Sequence, residues 1–210
     1  MAQVKICGLS QAEHIGAAVQ AGARYLGFNF FLKSPRFVTP AGVAALIADV
    51  PPGVASVGLF VDPDDALLVD TLKVAPLDMI QLHGQESPAR VTEIKQLTGL
   101  PVIKAVGVAE ASDLDALWDY GLVADMLLVD TKAPKGAVLP GGNGQTFDWR
   151  LLTGRKLLKP WLLAGGLTRD NVAEAIRVTG APGVDLSSGV ETAPGQKDSR
   201  LIREFIAAAS

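Results

Sequence analysis

The chain has 210 residues, 49% of them apolar and 20% charged, with a formal net charge of −3. That length suits one domain with a large core, the composition excludes a disordered chain, and the slightly acidic balance argues against nucleic acid or an anionic membrane surface as partner. No apolar run approaches the roughly 18 residues that a membrane helix needs. One cysteine cannot form an internal disulfide, which points to a reducing compartment. With no basic patch and long apolar stretch at the N-terminus, the expected localisation is cytoplasmic. The two histidines and one cysteine are far apart in sequence and do not have the spacing of a metal site.

Short β-type runs alternate with helical patterns from end to end. Strands are predicted at Gln3–Cys7, Tyr25–Phe30, Ala55–Phe60, Asp78–Leu82, Val102–Val106, Met126–Asp130, Trp161–Ala164 and Val184–Ser187. Most are apolar on both faces, as in a parallel sheet covered by helices. Between them, Ser10 with Glu13 has the pattern of a capping box. Thr39-Pro40, Asp62-Pro63 and Ser87-Pro88 each pair a capping side chain with proline at a first helical position. Gly99 stands where a helix should stop, and Leu201, Ile202, Phe205 and Ile206 give the last helix one buried stripe. Eight such units with no linker predict an α/β fold: a single-domain (β/α)8 TIM barrel over residues 1–210. The one long irregular stretch, Lys132–Thr146, contains Gly136, Pro140, Gly141, Gly142 and Gly144. It is read as a mobile lid, the alternative being a tolerated surface insertion.

In such a barrel the active site lies where the strands end. That rule selects Cys7, Asn29, Phe60, His83, Val106 with Gly107, Asp130, Gly165 with Gly166, and Ser187 with Ser188. A lone thiol at the end of the first strand is a plausible acid or base, or else a small buried hydrophobe. Asp130 offers a second proton-transfer group at the end of the sixth strand. Lys5 shares a strand side with Cys7, so a positive charge favouring thiolate is expected there. Lys104 and Asp185 are further strand polars expected to face inward. Arg36 could present a planar fork to a carboxylate, or it is a solvated surface arginine. His83 either lines the mouth or is structural. Gly165-Gly166 and Ser187-Ser188-Gly189 follow strands seven and eight, where such barrels hold phosphate on backbone N–H groups.

The segments KICGL (5–9), GFNFFLKSPRFVTP (27–40), GLFVD (58–62), QLHG (81–84), IKAVGV (103–108), LLVDTKAP (127–134), GGNGQTFDW (141–149), AGGLTRDNV (164–172) and VDLSSGVETAPGQKD (184–198) together resemble the phosphoribosylanthranilate isomerase family. The resemblance runs in order through nearly the whole chain. It implies an Amadori rearrangement of N-(5′-phosphoribosyl)anthranilate to 1-(2-carboxyphenylamino)-1-deoxyribulose 5-phosphate in tryptophan biosynthesis, by general acid–base catalysis without a cofactor or metal. It further implies Cys7 as general base and Asp130 as general acid. Arg36 falls on the arginine that binds the anthranilate carboxylate, and the two phosphate loops fall on Gly165–Gly166 and Ser187–Gly189. His83, Ser187, Ser188 and Gly189 join these as expected substrate-binding residues. The chain departs from the pattern in Lys135–Leu139, which looks longer and more apolar than the family's lid.

Overall fold

In the computed structural model, which describes residues 2–134, 136, 141, 144 and 146–210, eight parallel strands close into a barrel in the order β1 to β8. They are β1 (Gln3–Cys7), β2 (Tyr25–Asn29), β3 (Ala55–Phe60), β4 (Met79–Leu82), β5 (Val102–Val108), β6 (Met126–Thr131), β7 (Trp161–Leu163) and β8 (Gly183–Leu186). The barrel closes where Lys5 of β1 faces Asp185 of β8 in register. Each predicted strand is present, with ends displaced by two residues or fewer.

Helices α1 (Ala12–Ala21), α2 (Pro40–Ile47), α3 (Asp65–Val74), α4 (Pro88–Thr98) and α5 (Asp115–Val123) follow the first five strands, and α6 (Val172–Thr179) and α7 (Ser199–Ala208) follow the last two. Among the described residues between β6 and β7 stands only a single 3₁₀ turn, Trp149–Leu152, with Gly154 following at φ 71°. The sixth unit thus departs from a regular βα repeat, because the glycine-rich stretch occupies most of its length. Residues 135, 137–140, 142, 143 and 145 lie outside the described part. That covers most of the expected apolar lengthening at 135–139.

Three of the predicted helix signals hold. Thr39 and Ser87 accept from Gly42 N and Arg90 N, with proline following each, and Gly99 ends α4 at φ 69°. Two do not. Helix α1 begins after Gln11 with no side-chain cap, and Glu13 accepts a bond from Ser199 Oγ at 3.2 Å instead. Asp64, not Asp62, caps α3. The carboxylate of Asp62 is taken by Gln85 N at 2.6 Å, with the residue held at φ 45°.

Alternation along the strands divides the core in two. One set of side chains, including Val4, Ile6, Phe28, Phe60, Leu82 and Val106, packs outward against the helices. The other, including Tyr25, Val57, Ile103, Ala105, Leu128 and Leu162, fills the barrel's interior. Phe60 and Val106 therefore do not reach the mouth, and Phe60 stacks on Phe30 with ring centroids 5.0 Å apart. Lys104, expected to face inward, lies between Ile103 and Ala105 and so faces outward. There it meets Glu86 at 2.7 Å and sits over the Tyr120 ring of α5.

Candidate functional site

One cleft at the C-terminal end of the barrel is lined by Cys7, Arg36, His83, Asp130, Gly165, Gly166 and Ser187–Gly189, so the expected catalytic and substrate-binding residues meet there, whereas Phe60, Val106 and Gly107 do not line it. Asn29 lines it too, and its role is to shape the loop that carries Arg36. The Asn29 Oδ1 accepts from Phe31 N at 2.8 Å, and its Nδ2 donates to Ser34 Oγ, which in turn accepts from Arg36 N.

At the floor of the cleft, an ion pair is buried in the barrel, with Asp185 lining the cleft. Lys5 is fully buried and donates to Asp185 at 2.7 Å. Burial pulls the Lys5 ammonium down, but Asp185 and Cys7 together outweigh it and leave the pKa above the ordinary lysine value. Cys7 lies two residues further along the same side of β1. Burial pushes its thiol up from the ordinary cysteine value; Lys5 and Lys197 pull the other way and Asp185 adds to the rise, leaving it raised. The expected thiolate-favouring charge is present, yet desolvation wins over it. Room for this pair comes from Gly27 on the neighbouring strand. A Cβ there would lie 3.0 Å from Cys7 Sγ and 3.1 Å from Lys5 Nζ.

On the opposite wall, His83 Nε2 is 3.2 Å from Asp130 Oδ2. The other ring nitrogen, Nδ1, is 3.0 Å from the Gln81 amide nitrogen. With the amide as donor to Nδ1, the ring hydrogen sits on Nε2, facing Asp130. Asp130 Oδ1 accepts from Thr131 N at 2.7 Å. Gly141, from the stretch after β6, lies directly over this pair: a Cβ there would be 2.6 Å from His83 Nε2 and 2.9 Å from Asp130 Oδ2. His83 is thus a partner of Asp130 as well as a lining residue.

The two loops expected to hold phosphate flank the cleft. Gly165 and Gly166 have φ 88° and 59°, and neither donates its backbone N–H to an acceptor among the described residues. Asn171 pins this loop by donating to Gly166 O and accepting from Thr168 N. A 3₁₀ turn at Ser188–Val190 follows Ser187, whose hydroxyl donates to Cys7 O at 3.0 Å.

Sequence reasoning missed the hairpin after β8. Strands β9 (Glu191–Ala193) and β10 (Gln196–Lys197) place Glu191 against the Arg36 guanidinium, with Nε and Nη2 donating at 2.7 and 2.8 Å. Arg36 is therefore neither a solvated surface residue nor an unpaired fork. Burial alone would raise the Glu191 carboxyl, but Arg36 and Lys197 hold it below the ordinary glutamate value. Burial pulls the Lys197 ammonium below the ordinary lysine value, against the attraction of Glu191. The only available signal was the charge alternation in GVETAPGQKD around a Pro-Gly turn. Among the described residues, no group of three or more His, Cys, Asp or Glu could hold a metal ion, and no helix is long and apolar enough to cross a membrane.

Comparison with known proteins agrees with this geometry. The family model described as N-(5′-phosphoribosyl)anthranilate (PRA) isomerase matches residues 4–208. The chain is 70% identical over 207 residues to the N-(5′-phosphoribosyl)anthranilate isomerase of Paracoccus denitrificans, covering 99% of this chain and 96% of that protein. It is 60% identical to that of a Ruegeria species over 99% and 97% of the two chains. Among solved structures, phosphoribosyl anthranilate isomerase from Thermotoga maritima superposes with a TM-score of 0.90 at 37% identity, covering 100% and 98%. A phosphoribosyl anthranilate isomerase in complex with reduced 1-(o-carboxyphenylamino)-1-deoxyribulose 5-phosphate superposes at 0.84 with 34% identity, covering 100% and 98%. With a matching family model along almost its whole length and relatives of this identity, the chain belongs to the phosphoribosylanthranilate isomerase family.

Proposed function

We propose that Cys7 and Asp130 carry the proton transfers by which this isomerase of tryptophan biosynthesis converts N-(5′-phosphoribosyl)anthranilate to 1-(2-carboxyphenylamino)-1-deoxyribulose 5-phosphate. The observation that carries the reading is their convergence on one cleft from β1 and β6, with anion-binding elements around them. Asp130, protonated, donates to the furanose ring oxygen. The C1–O bond breaks and the anthranilate nitrogen lone pair closes a C1=N bond. Cys7 as thiolate then removes the proton from C2, and that electron pair forms C1=C2 as the C1=N pair returns to nitrogen. The enolamine tautomerises to the ketone by losing its O2 proton and gaining one at C1.

The neighbours suit these roles. A raised thiol value means a small thiolate fraction at neutral pH but a stronger base once formed. Lys5 stabilises that thiolate from below. His83 Nε2 lies 3.2 Å from Asp130 Oδ2 and, as a donor, orients the carboxyl in the cleft. Gly165–Gly166 and Ser187–Gly189 take the phosphate on backbone N–H groups, Arg36 takes the anthranilate carboxylate, and Gly141 covers the acid during turnover.

Steady-state turnover with N-(5′-phosphoribosyl)anthranilate tests this. Cys7→Ser and Asp130→Asn should each lower kcat by at least ~10²-fold, the scale of one acid or base. Near wild-type turnover in either variant removes that residue from the chemistry.

A further inference from the structure

The hairpin after β8 brings a second cation to the site, and the chemistry above does not use it. Glu191 Oε1 and Oε2 take Nε and Nη2 of Arg36, and Oε1 also takes Lys197 Nζ at 2.7 Å. An arginine paired one-to-one with a buried glutamate is neutral as a unit and attracts a further carboxylate only weakly. Here two cations share one anion, which leaves one surplus positive charge. Lys197 Nζ also donates to Ser187 O at 2.8 Å and Ser187 Oγ at 2.9 Å. Three acceptors therefore surround it, matching the three hydrogens of an ammonium, where a neutral amine has two.

The open edge of the guanidinium is fixed as well. Glu191 occupies the Nε–Nη2 side. Nη1 donates to no acceptor among the described residues, and it is not one of the buried polar atoms left without a partner, so it keeps access to the cleft that Arg36 lines. A carboxylate can approach the Nη1–Nη2 end without displacing Glu191.

We infer that Lys197 is a specificity-determining residue: it supplies the positive charge with which the Nη1–Nη2 end of Arg36 holds the substrate carboxylate, while Glu191 sets which end is offered. This rests on the reading of Arg36 as the carboxylate's partner. Lys197 acts through Arg36 and is a positioning residue.

The test compares two stable ligands by calorimetry: reduced 1-(o-carboxyphenylamino)-1-deoxyribulose 5-phosphate, and its phenylamino counterpart without the carboxyl group. Wild type should prefer the first. Lys197→Met should lower that preference about tenfold, the scale of one charge-assisted interaction, while affinity for the second ligand changes little. Lys197→Gln keeps a donor to Ser187 and should give the same result, which covers a methionine variant that does not fold. A merely structural role would weaken both ligands alike, and that outcome overturns the inference. So does a preference that survives both Lys197 variants but is abolished in Arg36→Met. If Arg36→Met itself keeps the preference, the carboxylate assignment of Arg36 fails first and the inference falls with it.

Discussion

As the proposed base, Cys7 carries two opposed demands: to be buried away from water, and to lose its proton. Burial prevails in the free protein, so the thiol titrates above the ordinary cysteine value. The sign of the pH effect follows. Raising pH deprotonates Cys7, so its alkylation by iodoacetamide should climb through neutrality with no plateau before about pH 9, the ordinary value the thiol exceeds. A thiol titrating below that value contradicts the burial argument. Gly27→Ala checks the space around the same group. Its methyl would meet both Cys7 Sγ and Lys5 Nζ at about van der Waals contact or closer, so activity should fall with little loss of helix content by circular dichroism. Full activity in Gly27→Ala would mean that the strand yields there at no cost.

At the scale of elements, the strand-to-helix loops decide both binding and local stability. Gly166→Val fills the phosphate loop and forces a β-branched residue to φ 59°, so substrate affinity should drop and stability should fall by about 1–2 kcal/mol. A structure soaked in sulfate should show the anion between Gly165–Gly166 and Ser187–Gly189, and an anion elsewhere would reassign those loops. The caps make a sharper pair. Ser87→Ala should cost about 1 kcal/mol in urea denaturation, whereas Ser10→Ala should cost almost nothing, because Ser87 alone accepts a helix-start N–H. The sequence pattern at Ser10–Glu13 is as good as that at Ser87-Pro88, yet only the latter is used. Leu9 is fully buried and sets where the chain enters α1, one residue past the expected cap. Asp62 fails for a related reason: the loop after β4 takes its carboxylate, and no local pattern reports a partner 23 positions away. The strands were legible because each is a short apolar run ending in polar or glycine residues. The charged hairpin was not, since Glu191 and Lys197 gain meaning only from Arg36, 155 positions earlier for the glutamate.

The whole molecule buries ion pairs on both sides of the barrel wall. Outside it, Lys104 and Glu86 are almost fully buried beneath α4 and α5. Glu86 also accepts from Asp62 N and Gly84 N, while Lys104 donates to Gly84 O, so the pair fastens the loops after β3 and β4, and with them His83. Lys104→Met would leave buried Glu86 without its counter-ion, and should destabilise the fold by about 3–5 kcal/mol in denaturant titration. A loss under about 1 kcal/mol would show that the backbone donors alone satisfy Glu86. That Cys7 and Asp130 share one cleft was legible at this scale, because the rule that strand ends carry chemistry needs only strand boundaries. Which strand polars face inward was not, since Lys104 and Asp185 look alike in sequence and differ only in register. Inside the wall, Lys5 and Asp185 meet at the seam between the first strand and the last, 180 positions apart. On a ribosome adding about 5–20 residues per second, Lys5 waits on the order of ten to forty seconds before its counter-ion exists. Throughout that interval Cys7 has no barrel around it, and its thiol keeps the ordinary thiolate fraction that burial lowers in the finished protein. The nascent chain, more than the folded enzyme, is where this cysteine is chemically vulnerable.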